Sequence, residues 1–505
     1  MKRRTTGIIL FLLFFGGFAA AQGAQPTLKF LYLQDGWYDY WDYLINSGRA
    51  VPHFVLNQPY AKSTADSLSG ESAVEKFYQE YLDHLFPQKA VSGQLTLTGR
   101  LKYRNDHLMN RSRAEGGLHL VFPHITLANR TALDQQYKYD PDYAGDLSES
   151  NHWLYGRVNE AYMQLHFKGF GLFLGRMKRN WGAPESYSLL LSAYPYSYDH
   201  LLFSWENSFL KLSVIAARLE DGPAIEQLGS RSDSLVYHPL ARKFLAGHRL
   251  DLHLRDNLQL GLTEMTTYGG PDRDFELAFL NPMTFYYGLQ RNDRQLNNGK
   301  WALDLLYKPV RRISVYGQFM IDDIIVNNDP GVDDRGRYPD RLAGFFSLRS
   351  GDLLLPGLNT DLSYVRIWNH TYQSRWTWEN YHYRGLGLGY PGVALEEIKL
   401  KLGYWGFFPL FLQQEVIYGR YGTAGLDDVF LLQKEAFPVR PVQHNLALLS
   451  TFRWHFHPAA QAFLKLQYFR EPDHYLNRLN EGSDFTVQVG FTAVLSGGFS
   501  NIDIE

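Results

Sequence analysis

An antiparallel transmembrane β-barrel of about 18 strands, preceded by a small helical segment, is the all-β fold that this sequence predicts. Three observations predict it. From about residue 92 apolar and polar residues alternate with period 2, in stretches of about 10 residues, the length a tilted strand needs to cross a bilayer. The polar parity carries full charges, among them Arg100, Lys102, Arg104, Arg249, Asp251 and Arg312, which a wet lumen tolerates. Aromatic residues reach 15% and cluster at strand ends, as in Tyr103, Trp153, Tyr155, Tyr307, Trp368 and Tyr468, the pattern of interfacial girdles. A soluble sandwich alternates in the same way, but strand length and charge favour the barrel. In hydrocarbon every backbone donor needs a partner within the protein, so such a sheet has to close.

The elements follow in chain order. Lys2, Arg3 and Arg4 precede an apolar run over residues 7–20 and the small residues Ala19, Ala20 and Ala21, which predicts an export signal over 1–21. Residues 22–90 form the helical segment. Trp37, Tyr40, Trp41 and Leu44 recur at i, i+3, i+4 and i+7, with Gly48 placed to end the helix. Val74, Phe77, Tyr78, Tyr81, Leu82 and Leu85 make a second apolar face, stopped by Pro87. Val51-Pro52 and Gln58-Pro59-Tyr60 connect the two, and the whole reads as a helical cap or plug.

Residues 91–505 form the barrel. Leu95, Leu97, Leu101 and Tyr103 oppose Thr96, Thr98, Arg100 and Lys102. The alternation returns at Leu250, Leu252 and Leu254, at Trp301 to Tyr307, and at Ile313 to Asp322, where Arg312, Ser314, Gln318 and Asp322 share the polar face. It closes with Phe485, Val487, Val489 and Phe491 against Thr486 and Gln488. About 22 residues per strand and turn gives roughly 18 strands. Polar stretches 137–151, 327–340 and 369–384 read as outer loops, and Asp256-Asn257 as a periplasmic turn.

Composition removes several classes of function. With no cysteine there is no disulfide, thiolate metal site, Cys nucleophile or lipoprotein anchor. Fifty basic against fifty-two acidic residues leave a charge of −2, which gives no field for nucleic acid. A mean hydropathy of −0.31 suits a barrel, because only alternate residues meet lipid. His166, His200, His248 and His253 are not accompanied by a G-x-S-x-G elbow, and no P-loop, dinucleotide fingerprint or H-E-x-x-H string occurs. The expectation is a non-enzymatic protein without cofactor. Asp140, Asp142 and Asp146, and Asp329, Asp333, Asp334 and Asp340, lack EF-hand spacing and read as solvated loop carboxylates, with no metal site.

Several strings resemble the capsule assembly Wzi family of outer-membrane barrels. They are Gly36-Trp37-Tyr38-Asp39-Tyr40-Trp41-Asp42-Tyr43-Leu44 with Gln58-Pro59-Tyr60, then Glu160-Ala161-Tyr162, Leu174-Gly175-Arg176, Trp181-Gly182 and Ser188-Leu189-Leu190-Leu191-Ser192. Ala246-Gly247-His248-Arg249-Leu250, Leu262-Thr263-Glu264, Phe279-Leu280-Asn281-Pro282 and Tyr316-Gly317-Gln318-Phe319 continue it. The resemblance implies an eighteen-stranded barrel with periplasmic helices, in the outer membrane of a Gram-negative-type bacterium. It also implies binding or retention of capsular polysaccharide or exopolysaccharide at the surface. A porin or substrate channel with the same charged lumen is the alternative. The expected partners are outer-membrane lipid and surface polysaccharide, for a monomeric protein.

The candidate polysaccharide-binding residues fall in two groups. Glu160 and Arg176 lie on consecutive strands, with Arg179 and Trp181 beyond, and form either an inward cradle for a sugar ring and its carboxylate or an ion pair that stiffens the lumen. Segment 275–289 fits neither period, and Pro282 bars it from a central strand. It reads as a helix or loop in the lumen or at its mouth, where Asn281, Tyr286 and Tyr287 either hold saccharide or pack the pore. Glu264 falls on the lipid-facing parity of Leu258, Leu260 and Leu262, so a bulge turns it inward or it sits above the membrane.

Overall fold

The computed structural model describes residues 29–499 except 34, 67–70, 105, 141–142, 144, 146–154, 229–233, 293–295, 325–339, 431–434, 472–473 and 477–483. The export signal, Trp153, Asp142, Asp146, Asp329, Asp333 and Asp334 therefore lie outside the described residues. Eighteen long strands make the wall: β1 (Val91–Arg104), β2 (Arg113–Val121), β3 (Ile125–Asp134), β4 (Gly156–Phe167), β5 (Phe170–Met177), β6 (Tyr198–Glu206), β7 (Leu210–Gln227), β8 (Leu235–Arg255) and β9 (Leu258–Gly270) form the first half. The second half is β10 (Asn298–Val310), β11 (Ile313–Asp323), β12 (Arg341–Gly351), β13 (Leu358–Ile367), β14 (Leu395–Tyr404), β15 (Leu410–Tyr421), β16 (Gln443–His457), β17 (Ala460–Phe469) and β18 (Phe485–Phe499). Each pairs antiparallel with its sequence neighbour, and β1 pairs with β18 from Val91↔Phe499 to Tyr103↔Val487. A short strand, His107–Asn110, folds back on the end of β1.

The period-2 pattern sets the two faces. Outward Leu95, Leu97, Leu101, Leu262, Leu303, Leu305, Phe319, Val489 and Phe491 are all exposed. Leaving so much apolar surface in water costs about 25 cal/mol per Å², and hydrocarbon is the solvent that removes this cost. Inward Lys102, Arg249, Asp251, Asp304, Ser314 and Gln318 are buried. Among the described residues no helix is long and apolar enough to cross a membrane; strands make the crossing.

One rim carries short turns such as Lys168-Gly169, Asp256-Asn257 and Arg311-Arg312; the other carries the long connections. Gly169 sits at φ +83 with the Glu206 carbonyl 2.4 Å from where a Cβ would stand, so only glycine fits that turn. Arg312, expected in the lumen, belongs to this rim. It occupies the two-residue turn at φ +74, outside the ladder parity that begins at Ile313, and its guanidinium donates to the Asp352 carbonyl at 3.3 Å.

The helices occupy the short-turn end of the lumen. Helix α1 (Gly36–Ser47) is N-capped by Asp35, which accepts from the Trp37 amide, and it ends at Gly48 in the left-handed region. Eleven of its 12 residues are buried, as expected of a helix enclosed on every side. A one-turn helix α2 (Lys62–Ala65) leads to α3 (Ala73–Leu85), whose Ser72 cap accepts from the Glu75 amide. Tyr40 stacks on Tyr78 at 5.0 Å to join α1 to α3. At the rim Tyr43 donates to Asp352 at 2.7 Å, and Arg49 bridges to the same carboxylate at 2.6 Å.

Charge fixes the plug deeper in. Arg349 reaches Asp42 at 3.1 Å and Asp361 at 3.3 Å, while Asp39 meets Lys401 at 2.9 Å and Arg453 at 2.7 Å. From the opposite rim the connection 178–197 descends to meet it. Asn180 and Gln58 exchange backbone hydrogen bonds, Pro184 accepts from Arg349, and Glu185 takes the second bond of Lys401 at 3.1 Å. Connection 368–394, of which 369–384 is expected as an outer loop, folds over this one: Tyr372 donates to the Leu189 carbonyl at 2.6 Å and Ser192 to that of Gly389 at 2.6 Å. The lumen is filled from both rims.

Burial raises the Asp39 carboxyl, but Lys401 and Arg453 outweigh it and hold the group well below the usual carboxylate range. Glu185 shares only Lys401, so burial lifts it from 4.5 to about 7. Replacing Asp39 with Ala leaves two cations buried without their shared counter-charge, at a cost of about 3–5 kcal/mol. Steady conductance should then appear in planar bilayers where the wild-type protein is closed. The raised Glu185 means the folded state binds that proton more tightly than the unfolded chain does. Its contribution is complete below pH 4.5 and fades as pH rises to about 7, so urea midpoints in detergent should fall across that window. The Glu185→Gln protein should show a flatter profile.

Candidate functional site

Among the described residues a space of about 1230 Å³ opens at the short-turn end between the plug and β4–β7, and three smaller ones lie between plug, connections and wall. An outer pocket of about 280 Å³ lies among Pro391, Leu395, Tyr421, Asn445, His474 and Tyr475. A chamber of about 230 Å³ lies deeper, edged by Tyr38, Glu185, Tyr187, Tyr390, Lys401 and Tyr475. A third space, of about 490 Å³, opens beside the plug along β1–β4 and β16–β18.

A polar knot separates the first two. Glu397 points inward from β14 and is buried. Its carboxylate accepts from Tyr421 at 2.9 Å, from Tyr475 at 3.0 Å, and from Tyr390. Three phenol donors on one buried carboxylate satisfy most of its lone pairs. His474 extends the knot, lying 2.8 Å from the Tyr421 hydroxyl. Burial drops its pKa to about 4, so the ring is neutral at pH 7. Its Nδ1 accepts from the Leu476 amide, which places the proton on Nε2 and makes His474 a donor to Tyr421.

Rings frame this knot: Tyr187 meets Tyr390 edge-on at 6.3 Å, and Tyr194 meets Tyr475 at 6.1 Å. Flat amphipathic walls with convergent oxygen acceptors suit a ligand that offers apolar C–H faces and many hydroxyls.

The third space is strongly basic. Arg130 bridges Glu115 at 2.8 Å and Glu160 at 2.6 Å, and Arg100 meets Asp134 at 2.5 Å. Arg157 lies 3.4 Å from the centre of the Tyr196 ring and donates to the Ser197 carbonyl. Among the described residues neither Arg157 nor Lys465 has an acidic partner, so positive charge remains for an anion.

The expected site residues are distributed differently. Glu160 is inward but pairs with Arg130. Arg176 faces out and pairs with Asp199 at 2.5 Å, because on β5 the inward parity falls to Gly171, Phe173 and Met177. The Glu160–Arg176 cradle is therefore not formed. Arg179 is buried over Phe173, 4.4 Å from the ring centre, and donates to His200 at 2.7 Å. Trp181 is buried, with its amide bonded to the Leu191 carbonyl. Segment 275–289 is not in the lumen: Tyr286 is buried on the outer wall, Tyr287 is half exposed there, and Asn281 lies between them and the wall strand in sequence. Glu264 draws it outward, keeping the lipid-side parity with its carboxylate covered by the Tyr286 amide at 3.0 Å. Of the charged residues expected inside, Arg100, Lys102, Arg249 and Asp251 face the interior, and Arg249 reaches Asp304 at 2.5 Å.

Glu397, Tyr390, Tyr421, His474 and Tyr475 were not singled out in the sequence. Parity alone would have turned Glu397 inward with Lys399 and Lys401. The convergence of residues 24 and 78 positions away follows only from strand order. Among the described residues no group of His, Asp and Glu is arranged to hold a metal.

The profile of the family Capsule assembly protein Wzi matches residues 120–470. Escherichia coli Wzi, an outer-membrane protein involved in group 1 capsule assembly and described as a carbohydrate-binding β-barrel, superposes with a TM-score of 0.62. It is 13% identical, over 92% of this chain and 98% of that one. Pseudomonas aeruginosa OccK10 (OpdN) gives 0.46 at 11% identity over 81% and 99%, and P. aeruginosa OprD gives 0.44 at 12% over 80% and 95%. No curated sequence matches significantly. With more than half of its length matched by the profile, and with the plugged barrel that its motifs imply, this chain belongs to the capsule assembly Wzi family.

Proposed function

We propose that this protein holds capsular polysaccharide or exopolysaccharide at the cell surface from the outer membrane, by binding and without catalysis. The observation that carries the reading is the lumen filled from both rims. A porin needs a continuous wet path, whereas here Gln58 of the helical segment bonds to Asn180 of connection 178–197, and that connection bonds to connection 368–394 through Leu189 and Tyr372, across the bore. The carbohydrate binding ascribed to E. coli Wzi supports the same reading. Short turns face the periplasm in barrels of this kind, which puts the helical segment on the periplasmic side and the Glu397 knot toward the cell exterior.

The chemistry favours sugar. Tyr187, Tyr390 and Tyr475 supply stacking faces, the Glu397 knot supplies oriented oxygens, and Arg157 and Lys465 supply charge for acidic groups on the polymer. Glu160, Arg179 and Trp181 are committed to internal partners and act as the frame beneath this surface.

A deletion strain should release polysaccharide to the medium while making as much in total; an unchanged ratio of cell-bound to shed polymer would remove the reading. In the purified barrel Tyr187→Ala should weaken binding of surface polysaccharide by about 1 kcal/mol, several-fold in Kd. Arg157→Gln should mainly reduce the salt dependence of that binding.

A further inference from the structure

The connection between β9 and β10 departs from connections 178–197 and 368–394, which enter the bore. Residues 271–292 turn back along the outside of the wall. Phe279 and Tyr286 are fully buried there against Phe244, Ala246 and Tyr268, outward residues of β8 and β9. Phe279 stacks on Tyr268 at 4.1 Å, and the Tyr286 hydroxyl donates to the Phe279 carbonyl at 2.9 Å.

Glu264 fixes the bracket. It projects from the lipid-facing parity, where an unsatisfied carboxylate is costly. There it accepts from the Trp301 indole at 2.8 Å and the Tyr286 amide at 3.0 Å, with His248 Nε2 at 3.1 Å.

Among the described residues the bracket's outer face is uncovered at Leu277, Met283 and Phe285, while the Tyr287 ring meets Trp301 at 5.3 Å. Leu277 is 76% exposed, Met283 83%, Phe285 73% and Tyr287 45%. They continue the band of Leu262, Trp301 and Leu303 on the wall below. Charge stands at the two ends of the connection, at Asp272, Arg273, Asp274 and Glu276 before the bracket and at Arg291, Asp293 and Arg294 after it, and residues 277–290 carry none. This division is that of an interfacial segment, polar ends in the headgroups and apolar side chains in the acyl region.

We propose that residues 277–289 are a laterally embedded membrane element, whose Leu277, Met283, Phe285 and Tyr287 lie among the hydrocarbon chains of the outer leaflet. The carboxylate of Glu264 is then the internal peg that holds this element against the wall, shielded from lipid by the residues it anchors.

The chain has no cysteine, so single labels can be placed cleanly. Met283→Cys and Phe285→Cys, whose side chains are almost free of contacts, would each carry a nitroxide in phosphatidylcholine vesicles. Leu303→Cys marks the wall and Leu354→Cys the short-turn rim. Collision with oxygen should exceed collision with a water-soluble nickel chelate at 283 and 285 by the same ratio as at 303, with the reverse at 354. Nickel-dominated collision at 283 and 285 would place the element in water and overturn the proposal. So would dipolar broadening between labels that vanishes on dilution with unlabelled protein, since a second copy would then cover the face.

Discussion

In hydrocarbon no backbone N–H or C=O can go unpaired, and the rest of this structure depends on that constraint. It forbids an edge, so β1 must find β18 across the full length of the chain. Closure creates two solvents for one sheet, lipid outside and a polar bore inside, and the period-2 pattern is the chain's answer to both. The bore can therefore hold Arg249, Asp304, Arg349 and Lys401, residues an ordinary core would exclude.

Those charges organise the interior. A buried ion pair adds little net stability, because desolvation consumes most of the attraction, but a missing partner is expensive. Orientation is thus what the pairs confer. Arg349 reads Asp42 on the plug and Asp361 on the wall, and also bonds to connection 178–197 through Pro184 and Ser186. A single guanidinium, with five donors in a rigid fork, locks three parts of the chain in one geometry. Lys401 does the same between Asp39 and Glu185.

Much of the fold was legible because period and parity are local. The helices at Trp37–Leu44 and Val74–Leu85, the alternating strands and the inward Arg100, Lys102, Arg249 and Asp251 all follow from neighbours in sequence. What escaped depends on where a turn starts the ladder or on which distant strands face one another. Arg312 was displaced by one position because a two-residue turn consumed it. Arg176 was placed inward although the parity of β5 turns it out. Glu264 looked like an error of parity until the bracket supplied its donors from 22 residues away. The Glu397 knot gathers three tyrosines and a histidine from three separate stretches, and no spacing in the chain announces it.

The order of parts along the chain also governs how they can be assembled. The plug is made first, but Arg349, Lys401 and Arg453, which hold its carboxylates, belong to β12, β14 and β16. Asp39 and Arg453 are 414 residues apart, so the seat of α1 does not exist until most of the wall has been synthesised. The residues that seat α1 lie more than 300 positions along the chain from it, so its anchoring and the closure of the ring by β1 and β18 depend on the same long-range contacts.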